Sequence, residues 1–238
     1  MNEKYPLRIN RYLALNNYAT RTGADELIKK GLVYINKRKA VLGDKVEEGD
    51  EVTVEKTGVK KDYIYYAYNK PVGVTTNPDE ASKDSRDILK VTRFPVRVFP
   101  IGRLDKDSHG LIIMTNDGRV TDRLLSPKYV HEKEYVVKLD TPFTDEFLAK
   151  MQSGVRFDGY ISKKCEAWRV KADTFHIILT EGKKRQIRRM CEALHHDVLD
   201  LKRARIMNIQ LGATVKEKDF REIKGQELKD FLTALKLL

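Results

Sequence analysis

Four runs rich in aromatic and branched residues do most to limit the fold: YIYYAY at 63–68, LIIMT at 111–115, EYVVKL at 134–139 and FHIIL at 175–179. Such side chains suit a pleated, half-buried surface, so each run predicts a strand. Helical segments lie between them. TDEFLAKMQSG opens on a Thr cap, stops at Gly154 and puts Phe147, Leu148 and Met151 on one side, and RQIRRMCEAL reads as a second helix. Strands and helices do not alternate regularly and no segment repeats, so the expectation is α+β with a mixed, largely antiparallel sheet.

Ahead of these runs the chain reads differently. RINRYLALNN at 8–17 places Ile9, Tyr12 and Leu13 on one helical stripe, and Thr22, Asp25, Leu27, Ile28, Lys29, Lys30 and Gly31 carry the start and stop signals of another helix. LVYIN predicts a strand, and Val52 and Val54 alternate with polar residues after turn-like segments at Gly43 and Gly49. A small domain over 5–56 results, followed by a polar, glycine-containing linker at 57–62 and a larger domain over 63–238. The length of 238 residues agrees with two domains.

Charge narrows the choice of partner. Lys and Arg outnumber Asp and Glu by 46 to 35, a formal +11, which favours a polyanion, with nucleic acid ahead of an acidic membrane surface. The basic excess is local: residues 1–40 hold nine Lys or Arg against three acids, whereas 41–56 hold two against six. Arg8, Arg11, Arg21, Lys29 and Lys30 then form either a solvated basic surface or an RNA grip, and the grip is preferred. No apolar run of membrane-spanning length occurs and the N-terminal residues lack a signal-peptide stretch, so a cytoplasmic protein is expected. Cys165 and Cys191 follow no ligand spacing and read as buried thiols; His195 and His196, being adjacent, do not share a helix face, so no metal is expected.

The segment VFPIGRLDKDSHGLIIMTNDG at 98–118 sets a charged loop before an apolar strand. Asp105 and Asp107 sit between Arg103 and Lys106, and Gly102 and Gly110 allow close approach of backbone or substrate. By residue type alone this is a polar connection. As D-x-D it could also hold Mg²⁺ in an enzyme acting on phosphates, a reading weakened by the lack of an evident third carboxylate. Further on, residues 183–205 hold eight basic against three acidic residues, Lys183, Lys184, Arg185, Arg188 and Arg189 among them, a stripe suited to a phosphate backbone or to plain solvation.

GRLDKDSHGL resembles the catalytic motif of the pseudouridine synthases, in the RsuA branch, which also holds the synthases lettered B, E and F that modify large-subunit rRNA. NKPVG at 69–73, HEKEY at 131–135 and LTEGKKRQIRRM at 179–190 resemble three further motifs in the family's order. HEKEY, SKKC at 162–165, RQIRRMCE and RARIMN at 203–208 look most like the F-type members. Two short helices followed by LVYINKRKA resemble the small RNA-binding domain of ribosomal protein S4.

The resemblance implies uridine isomerisation in RNA, foremost large-subunit rRNA with tRNA as a possible additional substrate, by a protein that needs no cofactor and no obligate protein partner and is expected to act as a monomer. Asp105 matches the catalytic aspartate, which could attack the anomeric carbon or the sixth ring carbon of uracil, or act as a base on the ribose. Arg188 matches the basic residue that pairs with that aspartate, Tyr135 the tyrosine that stacks on the target base, and Arg103 the arginine that fills the space of the flipped nucleotide. Lys183, Lys184, Arg185 and Arg189 are expected RNA contacts. Lys70 and Asn69 are expected to shape a turn near the cleft, and Gly182 the turn before Arg188. A noncatalytic RNA-binding or ribosome-assembly factor, and a metal-dependent nuclease using Asp105 and Asp107, are the competing readings.

Overall fold

The computed structural model describes residues 5–16, 18–55, 62–76, 87–126 and 128–238. They form two compact units, one from within residues 1–63 together with Asp117–Arg123, the other from Ile64–Asn116 and Leu124–Leu238. Most of the expected linker falls outside the described residues.

In the smaller unit β1 (Leu7–Arg8) leads into α1 (Ile9–Leu15) and α2 (Arg21–Lys29), followed by β2 (Val33–Ile35), β3 (Arg38–Lys39), β4 (Lys45–Val46) and β5 (Val52–Val54). β2 pairs antiparallel with β3 and β5, and β1 with β4. Ile9 and Leu13 of α1 meet Ala24 and Ile28 of α2 over Val33, Ile35, Val46 and Val52 in one buried cluster. The second helix starts two residues earlier than the sequence suggests: Thr20, not Thr22, is the cap, its Oγ1 accepting from the Gly23 amide at 3.0 Å. A cap of this kind is worth about 1 kcal/mol. The pattern T-x-T offers two capping hydroxyls, and backbone direction decides between them.

The larger unit is built on β6 (Tyr65–Lys70), β7 (Phe99–Ile101), β8 (His109–Thr115), β9 (Lys133–Leu139), β12 (Glu166–Lys171), β13 (Thr174–Leu179), β14 (Val198–Ile206), β15 (Ile209–Gln210) and β16 (Phe220–Glu222), with a separate hairpin of β10 (Arg156–Phe157) and β11 (Tyr160–Ile161). Its helices are α3 (Ile88–Val91), α5 (Asp145–Ser153), α6 (Gln186–Glu192) and α7 (Gly225–Ala234); α4 (Arg119–Leu125) is shared between the two units. The sheet runs β12-β13-β9-β14-β8-β6-β16, with β15 on β14 and β7 on β8. Every pairing of these strands is antiparallel except β14 with β8. This is the mixed, mainly antiparallel α+β architecture that the strand runs predict.

One sheet face is closed by α5 and α6. Phe147 and Met151 of α5 and Ile187, Met190 and Cys191 of α6 pack on Val137, Leu139, Phe175, Ile177 and Leu201. Each such fully buried apolar side chain contributes on the order of 1.5–3 kcal/mol. Thr144 caps α5, accepting from the Phe147 amide, as its sequence predicts. A second cluster gathers Tyr66, Tyr68, Ile112 and Met114 with Val74, Ile88, Val98 and Leu104, the residue just before Asp105. The catalytic-motif loop thus runs along a buried floor, with its polar residues held up toward solvent.

Candidate active site

Residues 102–108 connect β7 to β8, and Leu104 in their midst is buried while Asp105 is half-buried and Asp107 exposed. Several contacts fix this loop. The Thr76 hydroxyl donates to the Leu104 carbonyl at 2.8 Å and accepts from the Leu104 amide at 3.2 Å, and the Gly73 amide donates to the Lys106 carbonyl. The Ser108 amide closes a turn onto the Asp105 carbonyl. A cleft of about 570 Å³ opens beside it, walled by Val72, Gly73, Thr75 and Thr76, by Arg103 to Asp107, and by Lys184 and Arg185. That size fits a nucleotide.

The two aspartates are treated differently by their surroundings. Asp107 takes the arginines: Arg185 Nη1 lies 2.8 Å from its Oδ2 and Arg188 Nε 3.4 Å from the same atom. Burial alone would raise the pKa of Asp107, but the hydrogen bond from Arg185 and the charges of both arginines outweigh it and hold the carboxyl below the usual range. Among the described residues Asp105 has no ion-pair partner, so its carboxylate meets the cleft unneutralised. This corrects the expectation that Arg188 pairs with Asp105. Arg188 instead donates to the carbonyls of Asp107 and Val198, both at 2.8 Å, and these bonds turn its fork toward residue 107.

The other expected residues divide into those at the cleft and those beside it. Arg103, Lys184 and Arg185 line it; Lys183 is exposed, its ammonium 4.5 Å from the Tyr160 ring centroid, and Arg189 pairs with Asp158 at 3.1 Å. Tyr135 stands on the same face of β9 as Val137 and Leu139, opposite Arg203 of β14, half-buried and packed against both core clusters. It does not line this cleft. Arg8, Arg11, Arg21, Lys29 and Lys30 are all exposed on the smaller unit. Among the described residues no group of three or more His, Cys, Asp or Glu side chains is placed to hold a metal, and Cys191 is buried, its thiol pushed up to about 12.

Three sequence readings change. The turn into α6 does not rest on Gly182, around which a Cβ would meet nothing within 4 Å; Arg185 takes the left-handed conformation at φ 53°, and the buried Gln186 side chain accepts from the Lys183 amide. Lys70 is not a turn residue but the fully buried end of β6. Arg203 and Arg205 drop out of the phosphate-facing stripe: Arg203 is 3% exposed, and Arg205 is held by Glu132 and Glu134 at 3.0 and 2.8 Å. Residues two apart in a strand share a face, and it is the register shift between Arg203 and Arg205 on β14, invisible in the sequence, that gives them different surroundings. Thr76 carried no signal in the sequence, since its role depends on a loop that comes 28 residues later.

Arg103, Lys106, Lys184 and Arg185 around an unengaged carboxylate suit an enzyme that acts on a polyanionic substrate. Residues 64–193 match the model of the RNA pseudouridylate synthase family, and residues 7–52 match the S4 domain. The chain belongs to the pseudouridine synthase family, isomerases that convert uridine in RNA to pseudouridine. It is 39% identical to the dual-specificity RNA pseudouridine synthase RluF of Escherichia coli K12, over 94% of this chain and 78% of that one. It is 34% identical to the ribosomal large subunit pseudouridine synthase B of Bacillus subtilis, over 93% and 94%. A crystal structure of a pseudouridylate synthase superimposes with a TM-score of 0.69 at 26% identity, covering 96% of this chain and 99% of that one. No described helix is long and apolar enough to cross a membrane.

Proposed function

We propose that Asp105 is the catalytic carboxylate and that the substrate is large-subunit rRNA, with tRNA as a possible further substrate, modified in the cytoplasm by a monomer. The observation that carries this reading is the division of labour in the D-x-D loop: Asp107 absorbs the charge of Arg185 and Arg188, leaving Asp105 ionisable and unengaged at the cleft. A carboxylate so placed can form a bond to carbon or take a proton from the ribose. Arg103 at the cleft rim suits the space vacated by an extruded nucleotide, and an aromatic ring from Tyr135 suits stacking on the flipped base once RNA is bound. Extrusion costs roughly a few kcal/mol, which backbone contacts from Lys183, Lys184, Arg185 and Arg189 would offset. In the smaller unit the exposed Arg8, Arg11, Arg21, Lys29 and Lys30 support an RNA-binding domain over 5–56, joined through 57–62 to a catalytic domain over 63–238. The relatives' names, RluF and the B synthase of the large ribosomal subunit, support the rRNA address.

The test is to map pseudouridine in unmodified large-subunit rRNA transcript after incubation with wild-type protein and with Asp105→Ala, both with a chelator present. New pseudouridine made by the wild type alone is the expected result and names the site. Product from Asp105→Ala would overturn the catalytic assignment. RNA cleavage abolished by the chelator, without pseudouridine, would favour the nuclease reading.

A further inference from the structure

Beneath the Asp105 loop lie two cations that the scheme above leaves unused. Lys70 is fully buried and donates from Nζ to the carbonyls of Pro71 at 2.9 Å and Ser108 at 2.6 Å. Arg203 donates from Nε to the Leu111 carbonyl at 2.7 Å and from Nη1 to the Arg103 carbonyl at 3.2 Å. Its two acceptors stand on either side of Asp105, one before the loop's aspartates and one on β8 after them. Register explains the placement, because β14 runs parallel to β8 with Arg203 opposite Gly110. The backbone there is so close that a Cβ at position 110 would meet the Arg203 amide nitrogen at 2.9 Å.

Charge balance is incomplete on both sides. Among the described residues neither Lys70 nor Arg203 has a carboxylate within ion-pair distance, and Arg203 Nη2 is buried with no hydrogen-bond partner. Burying cations in this way is costly unless counter-charge is near. The charged groups around the pair are Asp105, Asp107 and Glu217, which act on Lys70, and Lys133 of β9, whose own pKa is lowered by burial and by Arg203. Asp107 is already engaged by two arginines, which leaves Asp105 and Glu217 as the carboxylates facing Lys70, and of these Asp105 lies on the loop that Arg203 holds.

We propose that Arg203 is a positioning residue for Asp105: its buried guanidinium, held to the Leu111 and Arg103 carbonyls, braces both limbs of the catalytic loop and so fixes where the Asp105 carboxylate stands at the cleft. It rests on the catalytic reading of Asp105, so Asp105→Asn is run in parallel. An active Asp105→Asn enzyme would sink that reading rather than this one.

The experiment compares wild type with Arg203→Met and Arg203→Lys in the full chain, measuring kcat and KM separately on an rRNA transcript. Arg203→Met is expected to lower kcat ten- to a hundredfold with KM within twofold. Arg203→Lys keeps the charge but not the fork, and should lose kcat three- to tenfold. Guanidinium ion should partly restore an Arg203→Ala variant. The proposal fails if folded Arg203→Met keeps the wild-type kcat, or if the kcat lost matches the fraction of protein unfolded. Should Arg203→Met not fold, wild-type kcat in Arg203→Lys overturns it.

Discussion

Replacing Lys70 by Met gives a stability change whose pH dependence can be worked out in advance. Burial, and after it the charge of Arg203, lowers the pKa of Lys70 from 10.5 to about 8. The folded value lies below the unfolded one, so the unfolded chain holds the proton more tightly. Below pH 8 both states are protonated and the full destabilisation is present; it fades as pH rises from 8 to 10.5. Between pH 7 and pH 10 the wild type should therefore gain about 2.5 kcal/mol relative to Lys70→Met, in which nothing titrates at this position. At pH 7 this penalty works against the two hydrogen bonds to Pro71 and Ser108, whose loss would leave buried carbonyls unsatisfied at about 1–3 kcal/mol each. The two proteins should thus be close in stability at pH 7 and clearly separated at pH 10, the variant being weaker. Urea unfolding followed by the fluorescence of Trp168 measures this, since the sole tryptophan lies on β12 and reports on the larger unit. Stability curves that stay parallel within about 0.5 kcal/mol from pH 7 to pH 10 would refute the buried-charge account of Lys70, given the roughly 2.5 kcal/mol expected.

Two further outcomes follow from the same loop. Gly110→Ala forces a side chain into φ 103° and against the Arg203 backbone, and should cost at least about 3 kcal/mol, a Tm fall of roughly 6–12 °C by differential scanning fluorimetry; a change under about 2 °C would contradict the register described. Asp107→Asn removes the negative charge facing Arg185 and Arg188, yet Arg188 keeps its bonds to the Asp107 and Val198 carbonyls and the carboxylate is half-exposed, so stability should stay within about 1 kcal/mol. Single-turnover rates should fall three- to tenfold, and a loss as complete as in Asp105→Asn would mean that the two aspartates share the chemistry.

The sequence exposes most of what is local here. Val33 to Ile35, Lys133 to Leu139 and Thr174 to Leu179 are strands because branched and aromatic side chains run through them, and Thr144 and Gly154 mark the ends of α5 in the chain itself. The motif GRLDKDSHGL likewise singles out Asp105. What the residues do not reveal is set by partners distant in sequence. Which aspartate receives Arg188 depends on how α6 lands against residues 107 and 198, and whether Arg203 faces phosphate or core depends on a parallel pairing between β14 and β8. Thr76 acts through Leu104 alone. Trp168 stacks on His176 at 4.9 Å on the half-exposed strand β12, and nothing in the structure gives it a further role.

The parallel seating of β14 also has a consequence in time. Arg203 follows Arg103, whose carbonyl it holds, by 100 residues. A ribosome extending the chain at about 5–20 residues per second makes the loop roughly 5–20 s before it makes the strand that supports it. Until then the place of β14 between β8 and β9 is unfilled and the Arg103 carbonyl lacks the Arg203 guanidinium, although the Tyr68, Val98 and Ile112 floor beneath the loop is already made.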